Sequence, residues 1–206
     1  MAELRLLALG DSYTVGEGVA PAEAWPAQLV QRLRDHAHTC AAPTVLARTG
    51  WTTDELLAAL APATLAPPYD LVTLQIGVND HYRERALGEF ERDFDALLAR
   101  ALRLAGGRAT RVLGVSIPDW GVTPFARRDM RTPQAIATAI DRFNARARTR
   151  VLRVGAAWVD VTSASRSAGQ TRAALCADDL HPGPAQYARW VETALLPAAR
   201  EQLRLP

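Results

Sequence analysis

The chain contains no lysine; all 24 of its basic residues are arginine. That absence removes three chemistries together, because a lysine Schiff base, a serine–lysine dyad and a Walker-type phosphate loop each need a lysine amine. Cysteine is nearly absent as well. Cys40 and Cys176 lie far apart in the 206 residues, and two cysteines make no disulfide framework, so both read as free thiols. A Cys176 nucleophile paired with His181 has no second motif behind it. Histidine is sparse too. Four of them, with His36 and His38 on one helical stretch and none clustered with cysteine, give no zinc-ligand spacing, so neither metal nor cofactor is expected. No apolar run reaches the ~18–20 residues of a membrane span, and the formal charge of only +2 gives no reason to expect nucleic acid as a partner. The densest basic group, Arg142, Arg146, Arg148, Arg150 and Arg153, sits late in a helix where it complements the dipole and reads as a solvated face. The amino terminus has no charged region ahead of a free apolar segment. Its apolar run leads directly into Ser12, which cleavage of a signal would remove, so a cytoplasmic protein is expected.

What is present is an alternation of short apolar runs with longer amphipathic ones. Leu4–Leu9, Thr44–Ala47, Asp70–Ile76, Arg111–Ile117 and Ala156–Val161 read as strands, the third as a nearly continuous apolar run of the kind buried on both faces. Between them Ala24–Ala37, Thr53–Leu60, Leu87–Leu104, Pro133–Arg150 and Pro184–Leu203 carry helical spacing. In the first of these, Trp25, Leu29, Val30 and Leu33 share a face. Asp54 and Glu55 open the second, as acidic residues do in a first turn. Such alternation predicts right-handed crossovers, an α/β fold and a parallel sheet covered on both faces. With no internal repeat, low-complexity tail or evident linker, residues 1–206 read as one domain.

In folds of this kind, ligands bind outside the carboxyl ends of the strands. Strand one ends in Gly10-Asp11-Ser12, strand two runs into Arg48-Thr49-Gly50-Trp51, and strand three into Gly77-Val78-Asn79-Asp80. Before the last helix stand Asp178-Asp179-Leu180-His181-Pro182. Four loops at one edge thus bring parts suited to acyl transfer. A serine hydroxyl needs a base to take its proton, histidine is the usual base, and a carboxylate fixes the tautomer of that histidine. Asp178 and His181 are three apart and can meet on one side of a short turn. Asp179, at a two-residue offset, points away, so Asp178 is favoured as orienter. Pro182 keeps the residue before it extended, which leaves the imidazole on a loop, free to reach Ser12. The backbone N–H groups of Ser12 and Gly50 and the side-chain amide of Asn79 would supply three donors to an oxyanion.

Taken in order, Gly10-Asp11-Ser12-Tyr13, Gly50, Gly77-Val78-Asn79-Asp80 and Asp178-x-x-His181 resemble the four blocks of the GDSL or SGNH hydrolase family, and they span nearly the whole chain. The resemblance implies a flavodoxin-like three-layer α/β/α fold with a five-stranded parallel sheet and metal-independent ester hydrolysis. In it Ser12 is the nucleophile, His181 the base and Asp178 its partner, and Ser12, Gly50 and Asn79 form the oxyanion hole. The family usually has leucine after the serine; here Tyr13 stands instead, a departure that bears on pocket shape.

The competing assignments are weaker. Asp11 reads as an acceptor of turn N–H bonds, and His81 has only the adjacent Asp80, which faces elsewhere. Gly10, Gly16 and Gly18 miss the dinucleotide fingerprint, and no Gly-x-Ser-x-Gly elbow occurs. Tyr13, Trp51 and Trp120 are candidate substrate contacts, and with Tyr82 and Phe125 they suggest a partly apolar acyl or aryl site. The irregular 118–131 segment is either a cover or a packed proline turn. The expected activity is hydrolysis of small to medium acyl esters, small molecules, through an acyl-enzyme. Carbohydrate O-deacetylation, lysophospholipase or thioesterase activity, and a non-catalytic binding module are the alternatives.

Overall fold

A computed structural model describes residues 3–36, 38–168 and 171–204. Five parallel strands, β1 (Leu6–Gly10), β2 (Thr44–Ala47), β3 (Leu71–Gln75), β4 (Val112–Val115) and β5 (Ala157–Val159), form one sheet in the order β2-β1-β3-β4-β5. This is the flavodoxin-like order. The chain leaves β1 toward β2 and then crosses back to β3, so the switch point lies between β1 and β3. Their ends are level there, with Gly10 beside Gln75. Every residue of β1, β3 and β4 is buried, which is why these stretches read as unbroken apolar runs instead of alternating ones.

Helices cover both faces. On one, α3 (Thr53–Leu60), α5 (Leu87–Leu104) and α6 (Pro133–Arg153) pack against one another; on the other, α2 (Trp25–Asp35) packs against α8 (Pro184–Trp190) and α9 (Leu196–Leu203). The predicted bounds hold for α3 and α5. Helix α6 runs three residues beyond the expected end because Val151 adds a fully buried contact. The first helix was expected to reach Ala37; it ends at Asp35, and Ala37 lies outside the described residues. The closing helix is not uniform. A π turn at Val191–Leu195 separates α8 from α9, and Pro197 supplies the reason: with no N–H and a bulky ring it cannot join the regular ladder, and a widened turn accommodates it.

Three short helices escape the periodic pattern: α1 (Ser12–Val15), α4 (Val78–Tyr82) and α7 (Thr162–Ala168). The first two occupy positions expected to be loops. Helix α1 folds back over the end of β1 so closely that a Cβ on Gly10 would lie 2.1 Å from the Thr14 hydroxyl and 2.5 Å from the Gln75 carbonyl; only glycine fits there. The 118–131 segment forms two 3-10 turns, Trp120–Val122 and Pro124–Arg128. Its start is anchored by the buried Asp119, which accepts from the Gly121 N–H at 2.9 Å and meets Arg166 at 2.8 Å. Among the described residues no helix is long and apolar enough to cross a membrane.

Candidate active site

Ser12 is the first residue of α1, where a backbone N–H has no partner within the helix. Asp11 sets the start of that helix. Its Oδ1 accepts from the Tyr13 N–H at 3.0 Å, the turn-capping role expected of it. Among the described residues its Oδ2 is buried with no partner. Burial pushes the Asp11 carboxyl up to about 8 despite the hydrogen bond from Tyr13, and the charge of Asp80 adds to the rise. Beside Ser12, burial therefore favours the neutral acid over the carboxylate.

The other elements converge on Ser12. Its Oγ lies 2.9 Å from His181 Nε2, and His181 Nδ1 lies 2.5 Å from Asp178 Oδ2. The turn holding Asp178 is itself held by that carboxylate: Oδ1 accepts from the N–H groups of Leu180, at 2.9 Å, and His181, at 3.0 Å. Burial alone would raise the Asp178 carboxyl, but hydrogen bonds from the His181 ring and from these two N–H groups outweigh it and hold it below the ordinary value. An ionised carboxylate can only accept, so Nδ1 carries the proton and Nε2 is left free to receive the Ser12 hydroxyl hydrogen. Asp179 has a left-handed backbone, φ 63°; its carbonyl accepts from the Phe125 N–H and its carboxylate lies 4.0 Å from Arg128 Nη2.

Gly50 and Asn79 line the same cavity as Ser12 and His181. Gly50 has φ 85°, which an L side chain adopts rarely. A Cβ there would meet nothing closer than Arg83 at 3.5 Å, so backbone conformation and not crowding is what requires glycine. Two side chains of the α4 segment fix this loop. Asn79 Nδ2 donates to the Trp51 carbonyl at 2.9 Å and Arg83 Nη2 to the Gly50 carbonyl at 2.6 Å. One of the two amide hydrogens of Asn79 is thereby used, and the second is left for the cavity. Asp80 faces away, as expected. It accepts from the Thr53 N–H at 2.9 Å and hydroxyl at 2.6 Å and pairs with Arg85 at 2.6 Å, joining α4 to α3.

The cavity has a volume of about 180 Å³, and Val78, Tyr82, Trp120, Phe125 and Leu180 give it apolar walls. Trp120 thus stands where a substrate contact was expected. Tyr13 also borders the cavity, but it is buried, its ring 5.2 Å from that of His181 and 6.4 Å from that of Trp190, so its main work is to pack behind the imidazole. Trp51 corrects the expectation: it is absent from the cavity wall. The tryptophan follows the left-handed turn at Gly50, its half-buried ring packs on the core, and only its carbonyl serves the site, by accepting from Asn79. Thr49, Val78 and Leu180 were not singled out from sequence, although each directly precedes a residue that was.

The cysteines are both free, and Cys176 Sγ lies against the Pro182 and Glu17 carbonyls, away from Ser12. Among the described residues no group of three or more His, Cys, Asp or Glu side chains is placed to hold a metal ion.

The family model described as GDSL-like Lipase/Acylhydrolase family matches residues 8–189. Among solved structures, that of TesA is similar at 21% identity with a TM-score of 0.75, covering 96% of this chain and 99% of that one. A lipase/acylhydrolase from Enterococcus faecalis is similar at 20% identity and 0.73, with 98% and 97% covered. Axe2, an acetylxylan esterase from Geobacillus stearothermophilus, is similar at 20% identity and 0.69, with 97% and 94% covered. At these identities the likeness is one of fold. No curated protein matches the chain.

Proposed function

The chain belongs to the GDSL-like lipase/acylhydrolase family, the carboxylic ester hydrolases, and from that premise we propose that it cleaves esters of small to medium acyl groups through an acyl-enzyme on Ser12. His181 Nε2 takes the hydroxyl proton as Ser12 Oγ attacks the ester carbonyl carbon. Asp178 holds the Nδ1 tautomer and stabilises the imidazolium that forms. The negative oxygen of the tetrahedral intermediate accepts from the N–H groups of Ser12 and Gly50 and from Asn79 Nδ2. Each such donor is worth roughly 3–4 kcal/mol of activation free energy. The imidazolium then protonates the departing alcohol. A water molecule, deprotonated by the same nitrogen, attacks the acyl carbon and releases the acid and Ser12.

The observation that carries this reading is the unbroken chain Asp178 Oδ2, His181 Nδ1, His181 Nε2, Ser12 Oγ, with separations of 2.5 and 2.9 Å, ending at an apolar cavity. Ser12→Ala tests it. Hydrolysis of p-nitrophenyl butanoate should fall by about 10³-fold or more, and labelling by a fluorophosphonate should disappear, with the thermal unfolding midpoint little changed. Retention of most of the activity would refute the nucleophile assignment. Failure of the wild-type protein to take up the label would favour a binding module on the same fold.

A further inference from the structure

Trp120 stands between two spaces. On one side is the open cavity that holds Ser12 and His181; on the other is a void of about 10 Å³, close to the room one water needs. Trp120, Tyr13 and Leu180 border both. Gln186, whose buried Oε1 has no partner among the described residues, borders only the void. The indole is therefore part of the wall of the catalytic cavity and, with Tyr13 and Leu180, part of the partition between that cavity and the void.

That partition is held from several sides. The indole Nε1–H donates to His81 Nδ1 at 3.3 Å. Burial pushes His81 down to about 4, and Arg131 adds to the fall, so the ring is neutral near pH 7 and Nδ1 has a lone pair to accept with. The Arg131 guanidinium lies 5.3 Å over the Trp120 ring and 5.6 Å over that of Tyr82. It is fixed there by two 2.8 Å hydrogen bonds to Asp129. Tyr82 and Phe125 meet the indole edge-on, with centroids at 5.4 and 6.2 Å. Such geometries are attractive for aromatic pairs and for a cation over an indole. An indole so restrained is a fixed part of the cavity wall.

We propose that Trp120 sets the acyl-chain limit of this enzyme, confining it to short acyl esters of the acetyl to butanoyl class, and that His81 and Arg131 are positioning residues acting through the indole. The proposal rests on the ester-hydrolase reading above.

The test is a chain-length series on the purified full chain. kcat/KM is measured on p-nitrophenyl esters from acetyl to dodecanoyl, with active sites counted by fluorophosphonate labelling. The wild type should lose about tenfold or more between butanoyl and octanoyl. Trp120→Leu should raise the octanoyl-to-acetyl ratio by about tenfold, mainly through KM, and Trp120→Ala should raise it further where it folds. Arg131→Ala, at a partly exposed site, should move the ratio the same way by a smaller factor. His81→Leu should do so too, while His81→Asn, whose carbonyl can still accept from the indole, should restore the wild-type ratio. A labelled, folded Trp120→Leu protein with an unaltered chain-length profile overturns the proposal, as does a wild type that handles octanoyl and acetyl esters alike. A wild type that neither hydrolyses any ester nor takes the label overturns the underlying reading instead.

Discussion

Replacing Asp11 with asparagine should make the protein more stable, and increasingly so as the pH rises. The carboxyl is fully buried, its Oδ1 accepting from the Tyr13 N–H and its Oδ2 unpartnered. Burial lifts it from 3.8 to about 8. The folded chain therefore keeps a proton that the unfolded chain gives up above about pH 4. Stability from this group is complete below that value, declines as pH rises and is gone above about pH 8. Each pH unit inside the window costs about 1.4 kcal/mol at most. Asparagine keeps the acceptor for Tyr13, offers an amide where Oδ2 stands and does not titrate. Between pH 5 and pH 8 the stability advantage of Asp11→Asn should widen by as much as ~4 kcal/mol. Urea unfolding followed by tryptophan fluorescence at pH 5, 6, 7 and 8 measures it directly, with linear extrapolation at each pH. A difference between the two proteins that stays constant within ~0.5 kcal/mol over this range would refute the reasoning, because it would mean that Asp11 is ionised in the folded state.

Three other substitutions probe separate joints of the site. Asp178→Asn should cut kcat by about 10³–10⁴, since its oxygen would stay on the Leu180 and His181 N–H groups and its NH2 would face His181 Nδ1, favouring the wrong tautomer; a loss below tenfold on p-nitrophenyl acetate would sink the orienter role. Arg83→Met removes the 2.6 Å hydrogen bond to the Gly50 carbonyl and should lower kcat about tenfold with KM little changed. Free guanidinium ion should restore part of the loss, and an unaffected kcat would show that the Gly50 loop holds its shape unaided. Gly10→Ala puts a methyl 2.1 Å from the Thr14 hydroxyl and 2.5 Å from the Gln75 carbonyl. Overpacking of that severity should destabilise the fold by about 3 kcal/mol or more in chemical denaturation; near-neutral behaviour would mean that α1 can lift away from β1.

The central strands were readable from sequence because burial of β1, β3 and β4 on both faces leaves its mark as continuous apolar runs, while the bounds of α3 and α5 came from helical spacing and those of β2 held although that strand is only partly buried. The short helices α1 and α4 were not readable. Four or five residues cannot display a helical period, and α1 buries Ser12, Tyr13 and Thr14 together, with no polar face to contrast. Side-chain direction was the other gap. Trp51 and Trp120 are both aromatic residues near strand ends, yet only the second faces the cavity, because the left-handed turn at Gly50 sends the Trp51 ring to the core. Nor does anything in the sequence pair Trp120 with His81, 39 positions away. The preference for Asp178 over Asp179 followed from spacing, and in the structure it is Asp178 Oδ2 that lies 2.5 Å from His181 Nδ1.

Ser12 and His181, 2.9 Å apart in space, are separated by 169 positions in the chain. On the proposed reading, the nucleophile is synthesised well before its base, with four of the five strands in between. A nascent chain that has already formed β1, α1 and most of the parallel sheet still has an ordinary, unreactive serine. If Ser12 and His181 act as proposed, ester hydrolysis begins only when the 178–181 turn docks beside Tyr13 and α8 closes over the face that α2 shares. Turnover is therefore a readout of finished folding, and a time course of activity during refolding would follow the final long-range contact, later than any signal from the strands.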